Sequence, residues 1–244
     1  VGSSAFSHKG GLHAAATQKS VQAYQHIEPS IVGNANDVII SELSGRGNVI
    51  HRIREMGLDE DLDDADARKI VQYVKDQESK GFSYEGANAS FDLVLRRALL
   101  NYEAPFELVD FMVIVENKRR SSFGTGWRND GAEHPMLSEA TVKVRVGNDI
   151  IHTAAEGDGP VGALDGALRK GLIDAFPELS AIRLTDYKVR VVNEGVGTGA
   201  AVRVVIESAD DKNVWSTVGA STNILEASWL ALTDSFEWWL FKNN

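Results

Sequence analysis

The sequence predicts an α+β protein in which a helical N-terminal stretch is followed by two repeated strand-strand-strand-helix units. Two observations lead to this. Near residues 102–106 the apolar positions change from helical spacing to alternation. Beyond that change the chain repeats itself without gaps at an offset of 64 residues, Thr153 aligning with Thr217. Thr153-Ala154-Ala155, Pro160-Val161-Gly162-Ala163 and Ala167-Leu168 pair with Thr217-Val218-Gly219, Ile224-Leu225-Glu226-Ala227 and Ala231-Leu232. Chance identity among short Ala and Leu patterns is the competing explanation. The expected division is residues 1–104, helical linker subdomains, and residues 105–244, the repeated domain.

Taken in order, Lys9 to Tyr24 is helix-compatible after Gly10 and Gly11, and Pro29 ends that pattern because it disfavours α geometry at Glu28. Asn48 to Met56 predicts a helix with Asn48 as N-cap, Gly57 just past its end, and an apolar stripe of Val49, Ile50, Ile53 and Met56. The acidic run Asp59 to Asp66 opens a second helix, where the macrodipole favours negative charge. That helix runs to about Lys80, with Ile70, Tyr73, Val74 and Gln77 at helical spacing and Gly81 ending it. A third, Ala87 to Asn101, presents Phe91, Val94, Leu95, Ala98 and Leu99, so residues 1 to about 102 are expected to be all-helical.

After Pro105, Phe106 to Val115, Ala140 to Val146 and Asp149 to Ala155 alternate as strands, with a polar, glycine-bearing loop at Lys118 to Pro135. Val202 to Ile206 supplies a matching strand in the second unit. Antiparallel strands each closed by a helix imply helices packed on one side of a sheet. The last helix carries Trp229, Phe236, Trp238, Trp239, Leu240 and Phe241, an aromatic surface that suits either a wide core stripe or a subunit interface.

Composition narrows the function classes. A net charge of -10 speaks against a phosphate-tracking surface, so no nucleic-acid partner is expected. No run of about 18 apolar residues could span a bilayer, and the N-terminus lacks the pattern of a secretory signal. No membrane partner is expected. Zero cysteines exclude disulfides, thiolate metal sites and cysteine nucleophiles, and are compatible with a cytoplasmic location. The chain opens at Val1 inside a motif-like stretch, so a further segment upstream is expected.

Ser7-His8-Lys9-Gly10-Gly11-Leu12-His13 is the densest functional-looking segment. His8 and His13 are five residues apart, off the i,i+4 spacing that aligns two ligands on a helix, and no nearby carboxylate completes a metal site. Catalysis, and histidines that merely cap or pack near a helix start, remain open on the residues alone. In the second half, Gly157-Asp158-Gly159-Pro160 places Pro160 at the first position of a helix, whose N–H groups and positive dipole end suit a carboxylate. Ser221-Thr222-Asn223 opens the equivalent helix. Val161, Leu184, Tyr187 and Ala201 are candidate neighbours for an aliphatic side chain. Ordinary helix capping would explain the same turn residues without a ligand.

Ala5-Phe6-Ser7-His8-Lys9-Gly10-Gly11-Leu12-His13, Tyr24-Gln25-His26-Ile27-Glu28-Pro29, Ser41-Glu42-Leu43-Ser44-Gly45-Arg46-Gly47-Asn48, Gly157-Asp158-Gly159-Pro160 and Trp215-Ser216-Thr217-Val218-Gly219-Ala220-Ser221-Thr222-Asn223 together resemble the α-isopropylmalate synthase family, in its citramalate synthase branch. The resemblance spans nearly the whole chain. It implies an enzyme that condenses acetyl-CoA with a 2-oxo acid, using a divalent metal in an N-terminal (β/α)8 barrel. No succession of strand-helix units here builds such a barrel, so no cofactor is expected in this chain, and the chain alone is expected to be inactive.

The resemblance further implies that the linker contributes His13 and Tyr24 to the partner subunit's active site. There an imidazole acts as general base and a phenol supports charge developing on a carbonyl. It also implies a homodimer and an amino-acid effector site at Gly157, Asp158, Gly159, Val161, Leu184, Tyr187, Ala201, Thr222 and Asn223. The resemblance implies isoleucine as the effector if the product is citramalate from pyruvate, and leucine if it is isopropylmalate; the His8-Lys9-Gly10-Gly11 form favours the former. From other classes, a stand-alone amino-acid-binding module and a metal hydrolase built on His8, His13 and His26 are the rivals.

Overall fold

The computed structural model describes residues 7–8, 27, 29–33, 37–38, 46–58, 63–99, 101–116, 137–192 and 197–243. The expected helix at Lys9 to Tyr24 and the loop at Lys118 to Pro135 lie outside these residues. Among the described residues of the N-terminal half are three α-helices, α1 (Arg46–Glu55), α2 (Asp64–Ser79) and α3 (Asn88–Arg97), and a 3-10 helix at Pro29–Val32. The described part of this half is not wholly helical. Strand β1 (Ser7–His8) pairs in parallel with β2 (Asp37–Val38).

Helix stops follow the glycines. Gly57 and Gly81 take φ of +68° and +108°, a left-handed geometry that spares a side chain. Leu58 N–H reaches back to Ile53 O at 2.9 Å, and Phe82 N–H to Gln77 O at 3.2 Å. At the start of α2, two residues of the acidic run form a capping box. The Asp63 carboxylate accepts from Ala65 and Asp66 N–H, and the Asp66 carboxylate returns to Asp63 N–H. Two expected boundaries move. Helix α1 begins at Arg46, so Asn48 lies within the helix instead of capping it, and α3 stops at Arg97, four residues before Asn101.

Among its described residues the C-terminal half has two three-stranded antiparallel sheets, each closed by a helix. Unit 1 holds β3 (Glu107–Glu116), β4 (Leu137–Val146), β5 (Asp149–Gly157) and α4 (Pro160–Leu172). Unit 2 holds β6 (Arg183–Val191), β7 (Val202–Ala209), β8 (Val214–Ser221) and α5 (Ile224–Asn243). This is the expected α+β repeat. The gapless offset is visible in hydrogen bonds: Thr153 Oγ1 donates to Ala167 O and Thr217 Oγ1 donates to Ala231 O, both at 2.7 Å. Both first strands also slip register at the same point, between Leu108 and Asp110 and between Leu184 and Asp186.

The inner faces of both sheets and both helices share one core, including Ala140, Val142, Val144, Leu164, Leu168, Val204, Ile206, Leu232 and Phe236. Most of the aromatic surplus of α5 is used inside the chain. Trp229, Phe236, Trp239 and Leu240 are buried, Trp238 stacks on Trp215 with ring centroids 5.4 Å apart, and Phe241 meets Tyr102 at 5.5 Å. A second core joins α1, α2 and α3, and it takes in Val218 and Val205 from the outer face of sheet β6-β7-β8. The helical half therefore rests on unit 2.

Candidate functional site

The two turns that lead into α4 and α5 occupy equivalent positions at the 64-residue offset, and they are built differently. At the end of β5, a Cβ on Gly157 would lie 2.5 Å from Ala163 N and 2.8 Å from the Gly162 carbonyl carbon. Only glycine lets the strand end sit on the first turn of α4. Gly159 then holds the N-cap position in extended conformation with no side-chain cap, and Pro160 occupies the first turn. Asp158 is exposed and Gly159 half-buried. Among the described residues no side chain caps the positive end of α4, an arrangement able to receive an external anion, with the Asp158 carboxylate beside it for a cation.

The α5 turn fills its own helix end. Asn223 Oδ1 accepts from Leu225 N–H at 2.9 Å, Ser221 Oγ accepts from Asn223 N–H at 3.0 Å, and the same hydroxyl donates to Glu226 at 2.5 Å. Asn223 is occupied as a cap, which is the ordinary role open to it from the sequence. Thr222 is exposed beside it.

Val161, Leu184 and Tyr187 are half-buried and pack against the shared core. The Tyr187 hydroxyl lies 2.8 Å from Ser228 Oγ, which itself donates to Ile224 O at 2.6 Å, so the phenol is tied to the first turns of α5. Its backbone is held by Asp186, whose carboxylate accepts from Tyr187 N–H. Lys188 donates to the same carboxylate, which depresses the Asp186 pKa and raises that of Lys188.

Ala201 belongs to different surroundings. It is buried, and with Val192 and Ala220 it faces Gly81 in the helical half, while Arg203 donates to Gly81 O at 2.5 Å. The structure does not bring it to Val161, Leu184 and Tyr187. His13, Tyr24 and His26 lie outside the described residues, and His8 is described as a residue of β1. Among the described residues no group of three His, Cys, Asp or Glu side chains could hold a metal ion, and no helix is long and apolar enough to cross a membrane.

Sequence reasoning missed a polar cluster between α3 and α5. Arg97 donates to Asp234 at 2.6 Å and to both Glu237 oxygens at 3.0 and 2.8 Å, and Tyr102 also donates to Glu237. Burial raises the Asp234 pKa against the pull of Arg97. Burial also opposes the Arg97 charge, but the two carboxylates more than offset it, and the guanidinium pKa rises. The available signal was Asp234 and Glu237, two carboxylates one turn apart in a helix otherwise dense in aromatics.

The profile of the LeuA allosteric (dimerisation) domain matches residues 85–239. The chain belongs to that family. The LeuA domain so defined includes α3, both βββα units and all but the last residues of α5. Residues 1–81, ahead of it, match the family described as homocitrate synthase post-HMGL domain-like.

Full-length similarity points the same way. The chain is 44% identical over 243 residues to an (R)-citramalate synthase of Geobacter sulfurreducens and 42% identical over 243 residues to one of Aquifex aeolicus. In both cases the alignment covers 100% of this chain and 44% of the relative. A 2-isopropylmalate synthase of Shewanella amazonensis is 30% identical over 236 residues, which cover 95% of this chain and 40% of that protein. The chain spans less than half the length of these relatives.

Proposed function

We propose that this chain is the linker and allosteric portion of a citramalate synthase that condenses acetyl-CoA with pyruvate, and that it binds isoleucine as feedback inhibitor. The condensation itself belongs to a catalytic barrel outside this chain, where the divalent metal and acetyl-CoA bind. The observation that carries the reading is the identity of 44% across the whole chain with a citramalate synthase, against 30% with an isopropylmalate synthase. In this reading the protein works in the cytoplasm as a homodimer, and His13 and Tyr24 complete the partner subunit's active site as base and hydrogen-bond donor.

The effector site is proposed at the β5–α4 turn. The isoleucine carboxylate takes the uncapped first turn of α4, Asp158 faces its ammonium group, and Val161, Leu184 and Tyr187 meet its side chain. Gly157 lets the strand end sit against the first turn of α4, and Gly159 leaves open space before it. Thr222 and Asn223 belong to the paired turn at α5, and Ala201 supports it from the far side of the sheet. Inhibition follows by linkage: isoleucine favours one arrangement of the domain, and that arrangement alters how the linker presents His13 and Tyr24.

Thermal unfolding with isoleucine, leucine, valine and no ligand tests this. A ligand at 100 times its dissociation constant adds roughly 2.7 kcal/mol of stability, a clear upward shift in Tm. A shift with isoleucine alone is expected. A shift with leucine alone transfers the chain to the isopropylmalate branch, and no shift with any of the three removes the effector reading.

A further inference from the structure

Helix α5 joins two places that are far apart. Its first turns carry the Asn223 cap and the Ser228 hydroxyl that meets Tyr187. From Ser228 to Glu237 the axis advances about 14 Å. No Gly or Pro interrupts the helix between Ile224 and Asn243, so nothing in its sequence marks a hinge. A tilt or shift imposed at its start is carried to its C-terminal half.

That half is gripped by the helical segment through polar contacts. Arg97 of α3 holds Asp234 and Glu237 together. Ser90 of α3 donates to Asp234 at 2.6 Å and accepts from Val218 N–H at 3.0 Å, so one hydroxyl ties α3 to both α5 and β8. Asp92 of α3 accepts from Trp238 Nε1 at 3.2 Å, and its two oxygens accept from Arg52 of α1 at 2.9 and 3.0 Å. A continuous polar path therefore runs from α5 through α3 to α1.

An apolar contact would join the helices at lower desolvation cost, since a buried ion cluster often stabilises no more than the hydrophobic residues it displaces. What the cluster adds is direction. A guanidinium shared by two carboxylates accepts one relative placement of α3 and α5, whereas apolar side chains tolerate several. We propose that Arg97 is the positioning residue that couples α5 to the linker helices, so that a change at the start of α5 is delivered through Asp92 and Arg52 to α1. This rests on the reading of the α4 and α5 starts as the effector site.

Hydrogen exchange of the full chain tests the coupling with two inputs at the start of α5, added isoleucine and Tyr187→Phe, which removes the bond to Ser228 without any ligand. In the wild-type background each input is expected to change exchange in α5's first turns and, by at least about fivefold, in α1 and α3. In Arg97→Met the response at the α5 start remains, and the response in α1 and α3 falls within about twofold of none. Glu237→Gln keeps the shape of the cluster and serves if the methionine variant does not fold.

A response in α1 and α3 that is the same with and without Arg97 overturns the proposal, as does an α5 start that responds while α1 and α3 stay silent in the wild type. If isoleucine changes no amide but Tyr187→Phe behaves as stated, the effector reading falls and the coupling stands. If neither input moves α5, the coupling falls too.

Discussion

Thr153 in unit 1 and Thr217 in unit 2 make the same bond to the same turn of their helices, yet the residues around them have diverged in a compensating way. In unit 1 the close crossing of third strand and helix sets Ala155 against Gly166, whose added Cβ would lie 3.2 Å away. In unit 2 the equivalents are Gly219 and Leu230, and a Cβ on Gly219 would meet Leu230 Cβ at 2.9 Å and Ala227 O at 2.0 Å. The small residue has changed sides while the crossing is kept. Packing constrains the sum of the two positions more than either residue.

The outer faces differ more. Val218 on β8 is fully buried under α1–α3, whereas Ala154, its equivalent on β5, is exposed, and Met112, Ile114 and Ile150 on the same sheet are 53%, 45% and 56% exposed. One sheet is clad by the helical half, and the outer face of the other is exposed among the described residues. The helix starts follow the same split, α5 being capped by Asn223 and α4 left open. Unit 2 is the anchored member of the pair, and unit 1 keeps the free helix end.

The largest test of this asymmetry is a matched pair of substitutions. Val218→Asp buries an unpaired carboxylate and is expected to cost at least about 3 kcal/mol, whereas Ala154→Asp should stay within about 0.5 kcal/mol in urea denaturation. Equal costs would mean that the outer faces are not differently covered. A smaller effect is expected at the crossings. Gly219→Ala forces backbone movement and should cost about 2 kcal/mol. Gly166→Ala should be nearly neutral, because a helix-propensity gain of up to about 1 kcal/mol offsets mild crowding against Ala155.

The smallest effect concerns the hairpin turns. Unit 1 turns through Gly147 at positive φ, but unit 2 uses Asp210, whose carboxylate accepts from Trp239 Nε1 at 2.7 Å and from Lys212 and Asn213 N–H. The Trp239 hydrogen bond and then those backbone bonds hold the Asp210 pKa well below its ordinary 3.8. A carboxylate depressed by folding stabilises the protein above the unfolded pKa, and that contribution is lost as pH falls below it. Denaturation midpoints should therefore separate wild type from Asp210→Asn at pH 7, and the gap should narrow at pH 3. A gap that is unchanged or wider in acid would contradict the role given to this turn.

Much of the fold was legible in local signals. The change of period near Pro105, the stops at Gly57 and Gly81 and the 64-residue repeat all reappear in the structure, because periodicity and capping act within a turn or a strand. The candidate site was legible in part. Gly157, Gly159 and Pro160 announce an open helix start by their own chemistry, and the Tyr187 hydroxyl meets Ser228 near the start of the paired helix. Ala201 is apolar and suitably placed in the sequence, but the sheet turns it toward Gly81, and no local pattern reports which face of a sheet end a helix will cover.

By itself the sequence determined the two units, their repeat, the acidic surface charge and the open start of α4, since each depends on residues a few positions apart or on composition. Only the tertiary structure decided that α3 belongs with α5, that Arg97 serves Asp234 and Glu237, and that the helical half covers the outer face of unit 2 while that of unit 1 is exposed among the described residues. Those outcomes depend on contacts between residues more than 100 positions apart, such as Arg97 with Glu237. Burial and charge pairing at that distance choose among faces that look equally apolar in one dimension.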